Sequence, residues 1–335
     1  MNSSRPATAQ EDDRLLDALF VGSLFCDLVF QGAPIPDPGQ EVYASGFVLT
    51  AGGIANASIA SARHGLSTGV ISLLGGDPLS CFVQSVLERE SNLQLDWLGT
   101  DRSATIAVSV ALTNERDRAF ITYEDSKSPR VICPGRPLPA VTNCFVGLGE
   151  ADLDWVVDLR SNGTCVYAGV GWDATEEWDE KTLALLQHVD VFVPNETEAL
   201  HYTRSQSIDE AAQLLSQLVP LVVVTLGDNG AMAIDRSNGQ IIRVPAVPVA
   251  AVDPTGAGDV FVASLMAAGV FGWPLEKRLR FACLSASLSV RSLGGAASAP
   301  RPAQIADFIS TEKPAGKWDD ILAWARSQPA QTDVS

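Results

Sequence analysis

The sequence predicts an α/β protein: a mostly parallel sheet with helices on both faces, and a small second sheet standing off the main body. Three observations carry this. From about residue 141 onward, short apolar runs (Cys165–Gly169, Val189–Val193, Leu221–Leu226) alternate with helical stretches (Glu176–His188, Ser207–Gln217), the rhythm of βαβ units whose crossover helices cover both faces of a sheet. Thr105–Leu112 and Arg118–Tyr123 instead alternate apolar and polar residues on either side of Thr113–Asp117, the pattern of a hairpin with one face wet. With 335 residues and 46% hydrophobic content, the chain can bury a core of one large domain plus an appendage.

The elements follow in order. Residues 1–14 are polar, carry Glu11, Asp12 and Asp13 and lack the apolar stretch of a signal peptide, so they read as a disordered tail. Ala18–Gly22 reads as a buried first strand that leads, at Cys26 and Asp27, into a functional loop. Gln31–Gln40 holds three prolines and two glycines, which suits a turn before an exposed strand. Gly52–Gly65 reads as a glycine-rich entry to a helix of small residues, Asn56–Arg63, and Val70–Leu74 as another short buried strand. Two apolar helices are expected at Asp259–Phe271 and Leu275–Leu293, and a last one at Trp318–Ser327 before a polar tail, 328–335. The body is therefore one unit, 15–327, with the small sheet built from about 28–50 and 104–125.

Composition excludes several function classes. The formal charge of −17 argues against a nucleic-acid partner, which needs clustered Lys and Arg. No window approaches the apolar length of a membrane span. The six cysteines (26, 81, 133, 144, 165, 283) form no C-x-x-C pair and read as reduced and buried, which suits a cytoplasmic protein. The three histidines (64, 188, 201) lie far apart, supply neither a zinc site nor a Ser-His-Asp triad, and read as surface or helix-end residues.

The strongest chemical signal is Asp253-Pro254-Thr255-Gly256-Ala257-Gly258-Asp259, followed at once by the apolar run Val260–Leu265. Glycines at 256 and 258 leave backbone N–H groups unobstructed, and the helix starting there aims its positive end at whatever lies above the loop. That is an anion hole. A carboxylate at 259, in the first turn, stands where it can accept a proton from a hydroxyl attacking a phosphoryl group; its bland alternative is ordinary N-terminal helix stabilisation. No P-loop, dinucleotide fingerprint or nucleophile elbow competes with it.

The string resembles the signature of the ribokinase-like (pfkB-type) carbohydrate kinases, and further segments in matching order extend the resemblance over about residues 17–310. The family implies a three-layer α/β/α fold with a small β-sheet lid, and ATP with Mg²⁺ as co-substrates. By that resemblance Asp259 is the base, with Gly256, Ala257 and Gly258 around the transferring phosphoryl group. Gly52-Gly53-Ile54-Ala55-Asn56 resembles the glycine motif that approaches the sugar, and Asp27 the carboxylate that grips its hydroxyls. Asn195-Glu196-Thr197-Glu198 resembles the Asn-x-x-Glu element that organises Mg²⁺; the same residues also spell a helix capping box. Thr225 and Gly227, with Gly230, resemble the nucleotide loop, although Asp228-Asn229-Gly230 is equally a hairpin turn. Ser298, in Ser292–Pro300, resembles the segment that flanks adenine and, with Asp253, helps to hold K⁺ or another monovalent cation.

The implied reaction is phosphorylation of a primary hydroxyl of a small sugar, either a ketose or pentose such as fructose or ribose, or 2-keto-3-deoxygluconate. Ile54 stands where several relatives carry Lys, which favours a neutral substrate, and Arg118 and Tyr123 on the hairpin are candidates to meet a carboxylate or a ring. A nucleoside kinase of the same family and a non-enzymatic ligand sensor are the alternatives, and a homodimer through the lid is a possibility the family brings.

Overall fold

The structure, a computed structural model, describes residues 15–113, 118–124, 138–149, 153–171, 173 and 175–329. The expected N-terminal tail, the hairpin link 114–117, Cys133 and residues 330–335 lie outside these.

The large sheet grows outward from β1 (Leu15–Val21), which pairs in parallel with β4 (Thr68–Gly75) on one side and β9 (Ala140–Gly147) on the other. Beyond β9 follow β10 (Cys165–Gly169), β11 (Val191–Phe192) and β12 (Leu221–Thr225), all parallel, then the antiparallel β13 (Ala231–Asp235) and β14 (Gln240–Val244). Beyond β4, the short β5 (Leu93–Gln94) and β6 (Leu98–Asp101) each pair with it in parallel. Because successive side chains of a strand point to opposite faces, β1 feeds two cores. Ala18 and Phe20 face one core and Leu19 and Val21 the other.

The first core is closed by α1 (Ile54–Arg63), α2 (Pro78–Leu87), α7 (Ala257–Val270), α8 (Leu275–Ser289), α9 (Pro302–Glu312) and α10 (Asp319–Ser327). The second is closed by α3 (Asp154–Ser161), α5 (Glu196–Thr203) and α6 (Ile208–Leu215), with the short α4 (Glu180–Ala184) and its 3-10 extension alongside. This is the expected three-layer α/β/α arrangement. Every residue of α1 from Ile54 to Ala62 is buried; a helix packed on all sides suits small side chains, and Ala and Ser fill six of these nine positions.

The second sheet has four strands in the order β3-β2-β7-β8: β2 (Leu24–Gln31), β3 (Gly46–Gly53), β7 (Ala107–Thr113) and β8 (Arg118–Tyr123). Its register lines Thr50, Asp27, Ser109 and Thr122 in one row across all four strands. The flanking rows on that face hold Gly52, Phe25 and Ala107 on one side and Val48, Val29, Ala111 and Phe120 on the other.

Several expectations need correction. Asp27 sits inside β2 rather than in a loop, because the chain turns only at Gly22–Ser23 before pairing again. His64 is fully buried at the end of α1, between Phe281 and Trp324, with Nε2 2.8 Å from Ser264 Oγ. Burial and the nearby Arg63 push its pKa down to about 3, so it stays neutral. Cys81 is exposed on α2, unlike the buried Cys26, Cys144 and Cys283. The helix expected at 176–188 is reduced to Glu180–Ala184 and a 3-10 turn, since Asp179 caps it at Lys181 N. Tyr123 pairs with Val108 on the face opposite Asp27, so it cannot face a ring that Asp27 holds. No helix is long and apolar enough to cross a membrane among the described residues.

Candidate active site

In an open parallel sheet, ligands bind beyond the carboxyl ends of the strands where the strand order reverses. Here the reversal falls between β1 and β9, since the chain passes from β1 to β4 on one side before returning through β9 on the other. The sequence-predicted residues gather along that edge. Asn195, just after β11, bridges Thr225 at the end of β12, and Thr225 N–H donates to Pro194 O at 3.1 Å.

The glycine loop enters α7 with Gly256 at its N-cap in the left-handed region, φ +74°, a conformation that favours glycine. A Cβ there would also press on Asn56 Cγ and Gly295 Cα, both at 3.2 Å. Gly258 is exposed, and space is open where its Cβ would be, so the first turn of the 14-residue α7 presents N–H groups that have no partner within the helix. Asp259, the third helical residue, is half-buried, and its Oδ2 accepts Asn56 Nδ2 at 3.0 Å. That bond joins the N-terminal glycine motif to the glycine loop.

Asp253 organises the loop from beneath. It has 0% exposure, its Oδ1 accepts Thr255 N–H at 3.0 Å and its Oδ2 accepts Gly294 N–H at 3.0 Å. The carboxylate thus ties the glycine loop to the turn Gly295–Ser298, where Ser298 Oγ donates to Gly295 O at 2.7 Å. Asn56 Oδ1 and Thr255 Oγ1 are buried without a hydrogen-bond partner. In a native interior such orphans call for an explanation, and a bound ligand is one.

Asp27 lies over Gly52 so closely that a Cβ at Gly52 would overlap its carboxylate. Gly53, φ +62°, begins α1 where any side chain would collide with Ser23 O and the Phe25 ring. Burial first, then the neighbouring charges of Asp259 and Asp253, push the Asp27 pKa up to about 7. Glu198 is raised to about 7 mainly by burial, with Asp259 adding and the Asn195 N–H opposing. Its carboxylate accepts Asn195 N and Nδ2 at 2.9 and 2.8 Å, while Asn195 Oδ1 accepts Glu198 N–H. The capping box is therefore formed, and the same carboxylate also faces the Asp259 charge.

Gly227, φ +53°, is exposed with open space around it, whereas Gly230 is buried against Val244 O and Ala246 N. Gly230 has a structural reason to be glycine: it closes the antiparallel β12–β13 hairpin. Glu198 and Asp253 share no metal cluster, and no group of three or more His, Cys, Asp or Glu suited to a metal occurs among the described residues. Two cavities of about 560 and 570 Å³ lie beyond segment 292–301 rather than over these carboxylates. Sequence reasoning did not single out the hydroxyls of Thr50, Ser109 and Thr122; only strand register brings them into line with Asp27.

The family model of the pfkB family carbohydrate kinases matches residues 147–302. The chain is 23% identical over 304 residues to a ribokinase of Lactococcus lactis, covering 85% of this chain and 94% of the relative. Its fold matches Arabidopsis thaliana ribokinase complexed with ribose and ATP, with a TM-score of 0.71 and 22% identity over 88% of this chain and 99% of the other. It also matches the aminoimidazole riboside kinase of Salmonella enterica, with a TM-score of 0.72 and 21% identity over 87% and 99% of the two chains. With the glycine loop, its buried Asp253 and the α/β/α frame in place, the family match over 147–302 and the similarity to ribokinases support a ribokinase-like, pfkB-type carbohydrate kinase.

Proposed function

We propose that this chain transfers the γ-phosphoryl group of ATP to a primary hydroxyl of a small neutral sugar, a ketose or pentose, with Asp259 as the base. The observation that carries this reading is the Asn56–Asp259 hydrogen bond at 3.0 Å. It sets a sugar-facing amide beside the carboxylate at the mouth of a helix-end anion hole. Asp259 takes the proton from the attacking hydroxyl, while the N–H groups around Gly256, Ala257 and Gly258 stabilise charge on the transferring group. In this reading Thr225 and Gly227 line the nucleotide's path. The small sheet acts as the lid, presenting Asp27 to the sugar and excluding water.

The donor set fits a hydrated Mg²⁺. Glu198 is a buried carboxylate with a raised pKa and a like charge nearby, an arrangement that a cation relieves. Glu198 and Asn195 would hold the ion through its waters, and when bound it would supply the positive charge that offsets the phosphates. Asp253 and Ser298 fit a monovalent cation less well, because each Asp253 oxygen already accepts a backbone N–H and the Ser298 hydroxyl is directed at Gly295 O. No monovalent cation enters the proposal.

Substrate charge follows from the lid face. Its described side chains are apolar or hydroxyl-bearing apart from Asp27 and, two rows away, Gln31, in whose row Arg118 also falls; Asp253, Asp259 and Glu198 add further negative charge below the Asp27 row. A carboxylated sugar such as 2-keto-3-deoxygluconate meets repulsion there, whereas a polyol finds acceptors. The opposite lid face carries Leu28, Phe30, Phe47, Leu49, Val110, Leu112 and Ile121 in adjoining rows, with Phe47 54% and Ile121 65% exposed. This apolar face suits a second copy of the chain, so the reading includes a homodimer through the lid.

The test is ADP release measured over a panel of neutral pentoses and ketoses, carboxylated sugars and nucleosides. Turnover is expected for a neutral sugar. Turnover of nucleosides alone would convert the reading to a nucleoside kinase, and none at all would favour a ligand sensor.

A pH dependence follows from Asp27. Its folded pKa, about 7, lies above the ordinary carboxylate value of 3.8, so the native state holds this proton more tightly and its contribution to stability declines as pH climbs from about 4 to 7. Sugar hydroxyls donate to the carboxylate and favour the ionised form. KM for the sugar is therefore expected to fall about tenfold between pH 6 and pH 8, as the ionised fraction rises. A flat KM over that range would remove Asp27 from sugar binding.

A further inference from the structure

A cavity of about 560 Å³ opens between the end of α1, the start of α9 and the end of α10, lined by Arg63, Arg301, Arg326, Gln304 and Gln328 together with small apolar residues. No carboxylate is among the lining residues, although the chain as a whole carries 40 acidic and 23 basic side chains. Three guanidinium groups converging on one cavity is therefore a departure from the molecule's general charge.

The three arginines are held differently. Arg63 Nε and Nη2 donate to Glu90 Oε1 at 2.9 and 2.8 Å, and Nη1 donates to Ala297 O and Ala299 O at 2.9 and 2.8 Å. It forms a fixed wall. Arg301 reaches the same carboxylate from the other side, Nη2 to Glu90 Oε2 at 3.3 Å, so two guanidinium groups share Glu90. Arg326 is exposed and donates to the neutral Ser310 hydroxyl at 3.1 Å. The first turn of α9, an 11-residue helix, brings its positive end to the cavity wall, where Pro302 lacks an N–H and Gln304 N–H donates to Arg301 O at 3.0 Å, so that Ala303 offers the remaining N–H.

We propose that this cavity is a second ligand site, distinct from the phosphoryl-transfer centre, that takes a small phosphate-bearing anion between Arg301 and Arg326. Planar, multiply donating guanidinium groups match phosphate oxygens, the amides of Gln304 and Gln328 can meet hydroxyls, and the volume exceeds that of inorganic phosphate alone and admits a phosphorylated metabolite. The site also has a route to the active centre. Arg63 clamps the carbonyls of Ala297 and Ala299, in the same turn that Asp253 ties down through Gly294 N–H, and it ends the helix that carries Asn56. An anion that draws Arg301 away from Glu90 leaves that carboxylate more fully to Arg63 and firms the clamp.

The proposal does not rest on the assigned reaction, and its test reads binding directly. Calorimetry and thermal unfolding are run on the full-length protein with ribose 5-phosphate and with inorganic phosphate, at constant ionic strength set by chloride. The variants are Arg326→Glu and the milder Arg326→Gln, both outside the phosphoryl-transfer site. Saturable binding of ribose 5-phosphate to the wild type is expected, undiminished by saturating ATP and weakened at least tenfold in R326E. The unliganded variants should unfold at the wild-type temperature. Binding of phosphate but not of the sugar phosphate would show an adventitious ion only. Equal binding by R326E, or competition by ATP, would place the anion elsewhere; each of these three results overturns the proposal.

Discussion

Asp259→Asn is expected to lower kcat by about 10²–10⁴-fold, the range that a positioned general base contributes, while KM for the sugar changes far less. The substitution keeps the side chain's shape and leaves an oxygen to accept the Asn56 Nδ2 proton, now at 3.0 Å from Oδ2, so the helix entrance stays in place. It removes the ability to take a proton. A second readout separates this from mere loosening. Asp259 is the largest charge contribution, after burial, to the raised pKa of Asp27; neutralising it lowers that pKa. The pH midpoint of the sugar KM should therefore move to lower pH in D259N, in step with the loss of kcat. A variant that keeps kcat within about threefold of wild type contradicts the assignment of the base, because a general base worth less than tenfold falls outside the range above.

The frame and the centre of the site were readable because both are written locally. Buried parallel strands appear as short apolar runs, and the string Asp253–Asp259 carries its turn, its helix start and its carboxylate within seven residues. Asp27 was legible as a site candidate but not as a strand residue, since a lone Asp interrupting an apolar run looks like a break. Only the pairing Asp27↔Thr50 and Asp27↔Ser109 shows that it sits in a sheet. The hydroxyls in its row come from three other strands, up to 95 residues from Asp27 in sequence, beyond the reach of any local pattern. His64 followed a helix and preceded a glycine, a surface signature; burial came from Phe281 and Trp324 far along the chain.

Some elements were missed although their signals were present. Asp77-Pro78 is an N-cap followed by proline at the first helical position, and Asp77 Oδ1 does accept Leu79 and Ser80 N–H at 2.9 and 3.2 Å to open α2. Pro302 opens α9 in the same position. Hydrophobic period alone does not reveal either start, because both are marked by proline at the first helical position. Gly230 carries two signals at once: its place in a nucleotide-loop pattern points to ligand contact, while its neighbours Val244 and Ala246 supply a packing reason.

Asp253→Ala is expected to be the most destabilising single change near the site, at about 2–6 kcal/mol. The carboxylate accepts two backbone N–H groups and is fully buried. Truncation leaves both donors buried without a partner, at about 1–3 kcal/mol each. Relief of a buried charge works the other way, but that charge is already compensated by two charge-assisted hydrogen bonds, so removing one side of the arrangement leaves the larger penalty. Against a typical total stability of about 5–15 kcal/mol, the shift is readily measured by urea unfolding. Asp253→Asn keeps one acceptor oxygen and turns the other position into a donor facing an N–H, so it should fall between the wild type and the alanine variant. The loss should also reach the chemistry. Gly256 and Gly295 both close on Asn56, so freeing the loop from the turn releases Asn56, and with it the orientation of Asp259; kcat should fall more than sugar KM rises in D253N. A cost below about 1 kcal/mol for D253A, less than one unpaired amide, would mean that the two loops are held together by packing and not by this carboxylate.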